Sequence, residues 1–219
     1  EGSMKYHIVT LGCQMNKSDS ERVRTIIEEM GYTWTDAEEE ANLLGILACS
    51  VRQKSIDKVY SRIARWNKWK DNRNILTFVS GCVLPADREK FLKLFDLVFT
   101  MAELPELPDM IRQYGVVSQV AVAATSAVRA DPRVSPSKIR EFWMVQPTYV
   151  SEFEAFIPIQ NGCDKFCTFC AVPYTRGREI SRSSQDILDE LRQVVDRGYK
   201  AVTMLGQNVN SYGLDKKGA

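Results

Sequence analysis

The sequence has one histidine, no apolar run long enough to span a membrane and no excess of either charge. With only His7 to offer, a histidine-rich metal site is excluded. The absence of a long apolar run argues against a transmembrane helix, and no secretory pattern follows the first methionine, so a soluble, cytoplasmic protein is expected. Residues 1–3 precede that methionine and read as a cloning scar. Lysine plus arginine number 29 against 28 aspartates and glutamates, so global charge does not announce a nucleic-acid partner. Low-complexity tracts and strict repeats are also missing. A composition that is 44% hydrophobic and 26% charged excludes wholesale disorder.

What is present begins with alternation. Residues 6–11 form a short apolar run ending in Gly12-Cys13, which reads as a strand and a turn. From Asp19, Val23, Ile26, Ile27 and Met30 recur at helical spacing, and Gly31 fits the stop. Residues 43–48 are a second buried-strand run, ending in Cys49. Ser50 is placed to cap a helix with Ile56, Val59, Tyr60, Ile63 and Trp66 on one face. Residues 75–79 give a third strand before Gly81-Cys82, and residues 97–99 a fourth after a short helical stretch. Pro105 and Pro108 bracket another helix start, with Gly115 at its end. The expected class is α/β, with a mostly parallel sheet covered on both faces.

Residues 116–152 lack a sustained period and read as a connector, with a short strand at 116–122. The alternation then restarts with a strand at 154–159, a helix at 183–197 and a strand at 201–205. The predicted division is 4–115 for an amino-terminal α/β domain, 116–152 for the connector and 153–219 for a second domain.

Six cysteines in a chain with no export signal point to metal ligation or catalysis rather than disulfides. Cys163, Cys167 and Cys170 form a CxxxCxxC run directly after a predicted strand. A loop this compact folds three thiolates around one [4Fe–4S] cluster and leaves one iron open. An open iron is what S-adenosylmethionine (SAM) chelation requires in radical chemistry. A structural zinc site would want a fourth ligand, a thioredoxin-like CxxC would leave one cysteine idle, and a bacterial ferredoxin run has different spacing.

Cys13, Cys49 and Cys82 are 36 and 33 residues apart, and each closes a predicted strand, one βα unit after the last. In a parallel sheet the carboxyl ends of the strands lie along one edge, where open α/β sheets bind ligands. A second three-cysteine cluster with an open iron is therefore expected. Three buried structural cysteines, or one metal shared between the triplets, are the alternatives.

Residues 162–170 resemble the radical SAM superfamily. By that resemblance Phe169 lies near the SAM adenine, and Gly206, Gln207 and Asn208 stand where the superfamily has a Gly-rich segment for the SAM amino group, without its usual Gly-Gly-Glu. The pair of triplets is similar to the methylthiotransferase family. The match runs through residues 11–21 (Leu-Gly-Cys-Gln-Met-Asn-Lys-Ser-Asp-Ser-Glu), 49–52, 81–82, 162–170, 171–182 and 206–212. Leu47-Ala48 stand where that family usually has Asn-Thr. The resemblance implies two [4Fe–4S] clusters, SAM, a tRNA substrate modified at C2 of an adenosine beside the anticodon, an electron donor protein and a sulfur donor. The chain would be an amino-terminal fragment, inactive alone, holding only the start of a radical SAM (β/α) barrel. A ribosomal-protein aspartate as target, an electron carrier and a zinc protein are the competing functions.

Between Arg52 and Arg73 eight basic residues face Asp57 and Asp71. The stretch is either a phosphate-contacting face or an ordinary solvated helix. Arg176, Arg178 and Arg182, beside the second triplet, are candidates for substrate or cofactor phosphate and carboxylate contacts. His7, at a strand start, reads as structural.

Overall fold

The computed structural model describes residues 3–120 and 135–216. The elements run β1 (Lys5–Thr10), α1 (Gln14–Glu29), β2 (Thr33–Trp34), β3 (Leu43–Cys49), α2 (Gln53–Trp69), β4 (Leu76–Cys82), α3 (Pro85–Phe91), β5 (Leu97–Val98), a 3-10 turn (Met101–Glu106) and α4 (Leu107–Val120). They continue with α5 (Pro136–Met144), β6 (Glu154–Pro158), β7 (Gln160–Asn161), α6 (Val172–Arg176), β8 (Ile180–Ser181), α7 (Ser184–Asp196) and β9 (Ala201–Leu205).

The first five strands form one parallel sheet in the order β2-β1-β3-β4-β5. β3 is buried along its whole length. Leu43 and Leu47 face α1, α4 and α5, where Val23, Ile27, Leu107, Ile139, Phe142 and Trp143 close the core. Leu44, Ile46 and Ala48 face α2 and α3, packing with Ile56, Val59, Ile63, Trp66 and Phe91. A period of two with apolar residues on both faces is what a central parallel strand requires.

In the second unit β6 and β9 pair in parallel, Pro158 opposite Leu205, and α7 lies over them through Ile187 and Val194. β7 and β8 form a short antiparallel pair beside them. The architecture is thus mixed α/β, as the alternation predicts. Among the described residues no helix is long and apolar enough to cross a membrane.

Several local expectations change. α1 starts at Gln14 rather than Asp19, because Cys13 in extended conformation is already its N-cap. α4 continues to Val120 where a short strand at 116–122 is predicted from the sequence; Gly115 lowers helix propensity without breaking the hydrogen-bond ladder. α5 occupies part of the predicted connector. Residues 121–134 of the connector lie outside the described residues, as do 1–2 of the scar and 217–219. The N-cap of α2 is Arg52, not Ser50, whose Oγ instead accepts the Leu84 N–H at 3.0 Å. β2, β7 and β8 are too short to show a period.

Candidate metal centre and cofactor site

The order of the amino-terminal sheet fixes where its ligand site must be. The chain steps outward from β1 to β2 on one side and from β3 to β5 on the other, so its direction reverses between β1 and β3. Open α/β sheets bind ligands outside the carboxyl ends of their strands at such a reversal. Cys13 follows β1, and Cys49 ends β3 on the other side of it. Cys82 ends β4 in register with Cys49. Cys49 and Cys82 are buried and Cys13 is exposed.

Asn16, fully buried one turn into α1, gathers this group. Its Oδ1 is 3.5 Å from Cys13 Sγ and 3.7 Å from Cys82 Sγ, and its Nδ2 donates to the Ala48 carbonyl at 2.9 Å. Ala48 thereby gains a polar partner that its own side chain cannot supply. Gly81, on β4 just before Cys82 and opposite Ala48 of β3, has φ +102°, and an added Cβ would stand 2.5 Å from the Ala48 oxygen, so only glycine fits. Burial pushes the Cys82 thiol up to about 11, against the opposing pull of Arg176.

Arg176 ends α6, yet its side chain reaches into the amino-terminal group. Nε lies 2.8 Å from Cys82 Sγ, Nη2 is 2.6 Å from Asp19 Oδ2 and 3.4 Å from Asn16 Oδ1, and Nη1 is 3.4 Å from Asn161 Oδ1. Both members of the Arg176–Asp19 pair are buried.

The second group is built locally. Gly162, after β7, has φ +78°, and a Cβ there would meet the Arg178 carbonyl at 2.1 Å. Cys163 is buried and donates its N–H to the Gly177 carbonyl at 3.3 Å. Asp164 clasps Arg178 Nε at 2.7 Å and accepts the Glu179 N–H at 2.9 Å, closing the loop's base. The Arg178 hydrogen bond holds the Asp164 carboxyl below the usual carboxylate range. Cys167 is exposed, Cys170 is half-buried, and a turn links them through Cys170 N–H to Cys167 O at 2.9 Å. Phe169 is 94% exposed. Arg178 is mostly exposed and stacks over Phe166.

Gly206, Gln207 and Asn208 follow β9, at the same sheet edge as the loop that follows β6 and β7. Beneath them, fully buried Gln160 donates Nε2 to Ser211 Oγ at 3.3 Å, and Ser211 donates to Glu179 Oε2 at 2.6 Å. Asn208 Nδ2 also donates to Ser211. Gln160 Oε1 and Gln207 Oε1 are buried acceptors without a partner. Two unpartnered acceptors at the carboxyl end of adjacent parallel strands suit a donor such as an ammonium group.

Arg182 points inward. It pairs with buried Glu190, which also accepts Arg22 Nη2 at 3.1 Å and Tyr149 OH at 2.9 Å. Part of the basic stretch is taken up by the fold. Arg62 and Arg65 bind Glu38, as does the Nε1–H of buried Trp66 at 3.0 Å, and Lys70 binds Asp96 at 2.6 Å. Burial alone would raise the Glu38 carboxyl, but Trp66 and the two arginines hold it lower than usual. His7 stacks on Trp34 and contacts the Thr35 carbonyl through Nδ1.

The sequence alone assigns no role to Asn16, Asp19, Gln160, Glu190 or Ser211. For the first two a signal existed. Cys13, Asn16, Asp19 and Arg22 recur every third residue, so that neighbouring members of this polar series lie one turn apart on adjoining sides of the helix.

Comparison with known proteins matches two regions of the chain. Residues 5–102 match the model described as "Uncharacterized protein family UPF0004", and residues 157–217 match that of the radical SAM superfamily. A tRNA-2-methylthio-N(6)-dimethylallyladenosine synthase of Geobacter metallireducens is 41% identical over 220 residues, 99% of this chain and 48% of its own length. The synthase of the same name from Dictyoglomus thermophilum is 39% identical over 96% of this chain and 47% of its own length. That from Thermotoga petrophila is 38% identical over 98% and 46%. The chain is thus similar to these synthases along nearly its whole length and carries a radical SAM match in its second unit. It spans about half the length of the curated relatives it matches.

The radical SAM match and the similar synthases imply SAM and iron–sulfur chemistry. The donor sets fit, with three cysteines at each of two sheet edges and orphaned acceptors beside the second. Among the described residues no three Cys, His, Asp or Glu side chains are gathered tightly enough for a single metal ion. A cubane meets each thiolate through a different iron, so its ligands need not converge on one point.

Proposed function

We propose that this chain is the part of a tRNA methylthiotransferase that carries both cluster sites, one [4Fe–4S] cluster on Cys13, Cys49 and Cys82 and another on Cys163, Cys167 and Cys170. The reaction would place sulfur and a methyl group at C2 of a modified adenosine next to the anticodon. One observation carries the reading: one cysteine triplet stands at the carboxyl edge of a parallel sheet and another in the single loop after β7, in a chain about 40% identical to synthases of that name. In this reading residues 4–115 form the sulfur-supplying domain, 116–152 join the two, and 153–219 begin the radical domain.

SAM bound beside the second cluster supplies the radical chemistry that an unactivated C–H bond requires. The chain's own residues do the holding. Asp164 and Arg178 brace the base of the cysteine loop, and the Gly206, Gln207 and Asn208 turn with Gln160 offers acceptors to the SAM amino group. Phe169 presents a free aromatic surface to the adenine. Asn16 ties Cys13 to Cys82, and Gly81 lets their strand edge pack against Ala48, beside Cys49. Partners would be the tRNA, an electron donor protein and a sulfur donor.

Anaerobic reconstitution tests the reading. Two four-iron clusters correspond to about eight irons per chain. The spectrum should respond to SAM, and replacing Cys163, Cys167 and Cys170 by alanine should abolish that response while leaving about four irons. Zinc without iron would sink the proposal.

A further inference from the structure

Arg176 reaches four side-chain partners from its three guanidinium nitrogens, a set that a lysine's single ammonium could not span. One of them, Cys82, belongs to the amino-terminal cysteine group although Arg176 itself follows the other group by six residues. Asn161 holds Arg176 at both ends, donating Nδ2 to its carbonyl at 2.9 Å while Oδ1 faces Nη1 at 3.4 Å. Asn161 stands two residues before Cys163. The two cysteine groups are therefore joined by a short path from Cys82 through the guanidinium to Asn161 and the base of the second loop.

An ion pair that served stability alone would have no use for a sulfur. A buried pair gains little over well-packed apolar residues, so fold stability is weak grounds for placing Arg176 and Asp19 here. The guanidinium instead gives Asp19 one edge and Cys82 the Nε–H. Hydrogen bonds to cluster sulfurs and the charge around them are what set an iron–sulfur potential.

We propose that Arg176 is a positioning residue for the Cys13, Cys49 and Cys82 site: its guanidinium fastens Cys82 to the second cysteine loop and raises the reduction potential of the cluster held there, with Asp19 as the opposing charge. This rests on the cluster reading above. Reduction adds negative charge to the cluster, which a donor at 2.8 Å from a ligand sulfur favours and a carboxylate behind that donor opposes.

The test uses the whole chain with Cys163, Cys167 and Cys170 replaced by alanine, so that iron can load only the amino-terminal site. After anaerobic reconstitution, iron per chain is counted and the midpoint potential read by redox titration with electron paramagnetic resonance. Arg176→Gln should lower the reduced-to-oxidised ratio at a fixed poise about tenfold, equivalent to about 59 mV for a one-electron couple. Asp19→Asn should move the ratio the other way. Because Arg176→Gln leaves Asp19 buried and unpaired, the double variant Arg176→Gln/Asp19→Asn is made alongside it. It should fold, with a potential still below the parent's. Iron lost from a folded Arg176 variant supports the positioning half of the proposal. If no Arg176 variant folds, Asp19→Asn decides alone, and an unmoved potential there overturns the proposal. Potentials unchanged across variants that keep their iron overturn it while leaving the cluster intact. A parent that takes no iron overturns the cluster reading itself.

Discussion

Cys13, Cys49 and Cys82 come from three strand ends spread over 70 residues, whereas Cys163, Cys167 and Cys170 occupy eight consecutive positions. The first group is held by sheet register, a buried asparagine and a buried arginine. The second is held by a turn, an aspartate clasp and a glycine at its base. Two of the first three cysteines are buried, against one of the second three. A site assembled from distant strands inherits its geometry from the whole domain, and it fails when the domain is perturbed. A site assembled from one loop answers to local changes and leaves room for a small molecule beside it.

The seam between these regions is the place to break the comparison most severely. Glu190, on α7, faces Arg22 from α1 and also Arg182, all three buried. Glu190→Ala leaves two guanidiniums without their anion, at a cost of about 3–5 kcal/mol. Chemical denaturation should show a lower midpoint and, if the seam alone joins two self-sufficient units, two transitions in place of one. A single unshifted transition would mean that the regions do not depend on this contact.

The two glycines separate the sites more finely. Gly81→Ala forces a side chain against the Ala48 carbonyl at φ +102° and should cost about 1–3 kcal/mol. Its iron loss is expected at the first site only. Gly162→Ala, which meets the Arg178 carbonyl, should do the reverse, abolishing the SAM-sensitive spectrum. Equal loss at both sites from either variant would show that the sites assemble together.

The α/β architecture was legible in the sequence because residues 43–48 and 75–79 are mostly apolar runs, with Gly45 and Thr77 within them, that lead into Cys49 and Gly81-Cys82. Strand order was not, since it depends on pairings between distant residues. It is the order that puts the reversal between Cys13 and Cys49. All six cysteines stood out by spacing and by position at strand ends. The destination of Arg176 did not, because Asp19 and Cys82 lie 157 and 94 residues away in sequence. Arg182 escaped for the same reason, its partner's other ligand, Arg22, being 168 residues from Glu190. Two-residue strands such as β7 carry no periodicity, so Gln160 and Asn161, which face the two sites, were invisible.

A smaller effect concerns pH at the seam. Glu21 accepts the Val150 N–H with Oε1, while its Oε2 is buried without a partner. Burial raises its carboxyl from 4.5 to about 7, opposed by Val150 and Arg22. Between those values the folded chain keeps a proton that the unfolded chain has released, so stability falls as pH rises through this window. Glu21→Gln should therefore be more stable than the parent by about 1–2 kcal/mol at pH 8, with the difference vanishing towards pH 4. Denaturation midpoints at the two pH values check this. A gain that is the same at both would place the effect in packing rather than ionisation.

The smallest expected change in stability comes from Phe169. At 94% exposure its ring contributes almost nothing to the core, so Phe169→Ala should alter stability by less than about 0.5 kcal/mol. Its proposed role is contact with the SAM adenine, and an aromatic contact of this kind corresponds to a three- to tenfold change in affinity, about 0.5–1.5 kcal/mol. The variant should load the same iron as the parent and need that much more SAM for the same spectral change. Val51, an exposed apolar residue two positions after Cys49, is the matched control beside the other site, and Val51→Ala should leave the SAM response unmoved. If both substitutions weaken the response equally, SAM touches both regions and the division between a sheet-built site and an open loop site is lost. If Phe169→Ala instead lowers stability by more than 1 kcal/mol, the ring packs against the protein, and the second loop is closed on itself rather than open to a ligand.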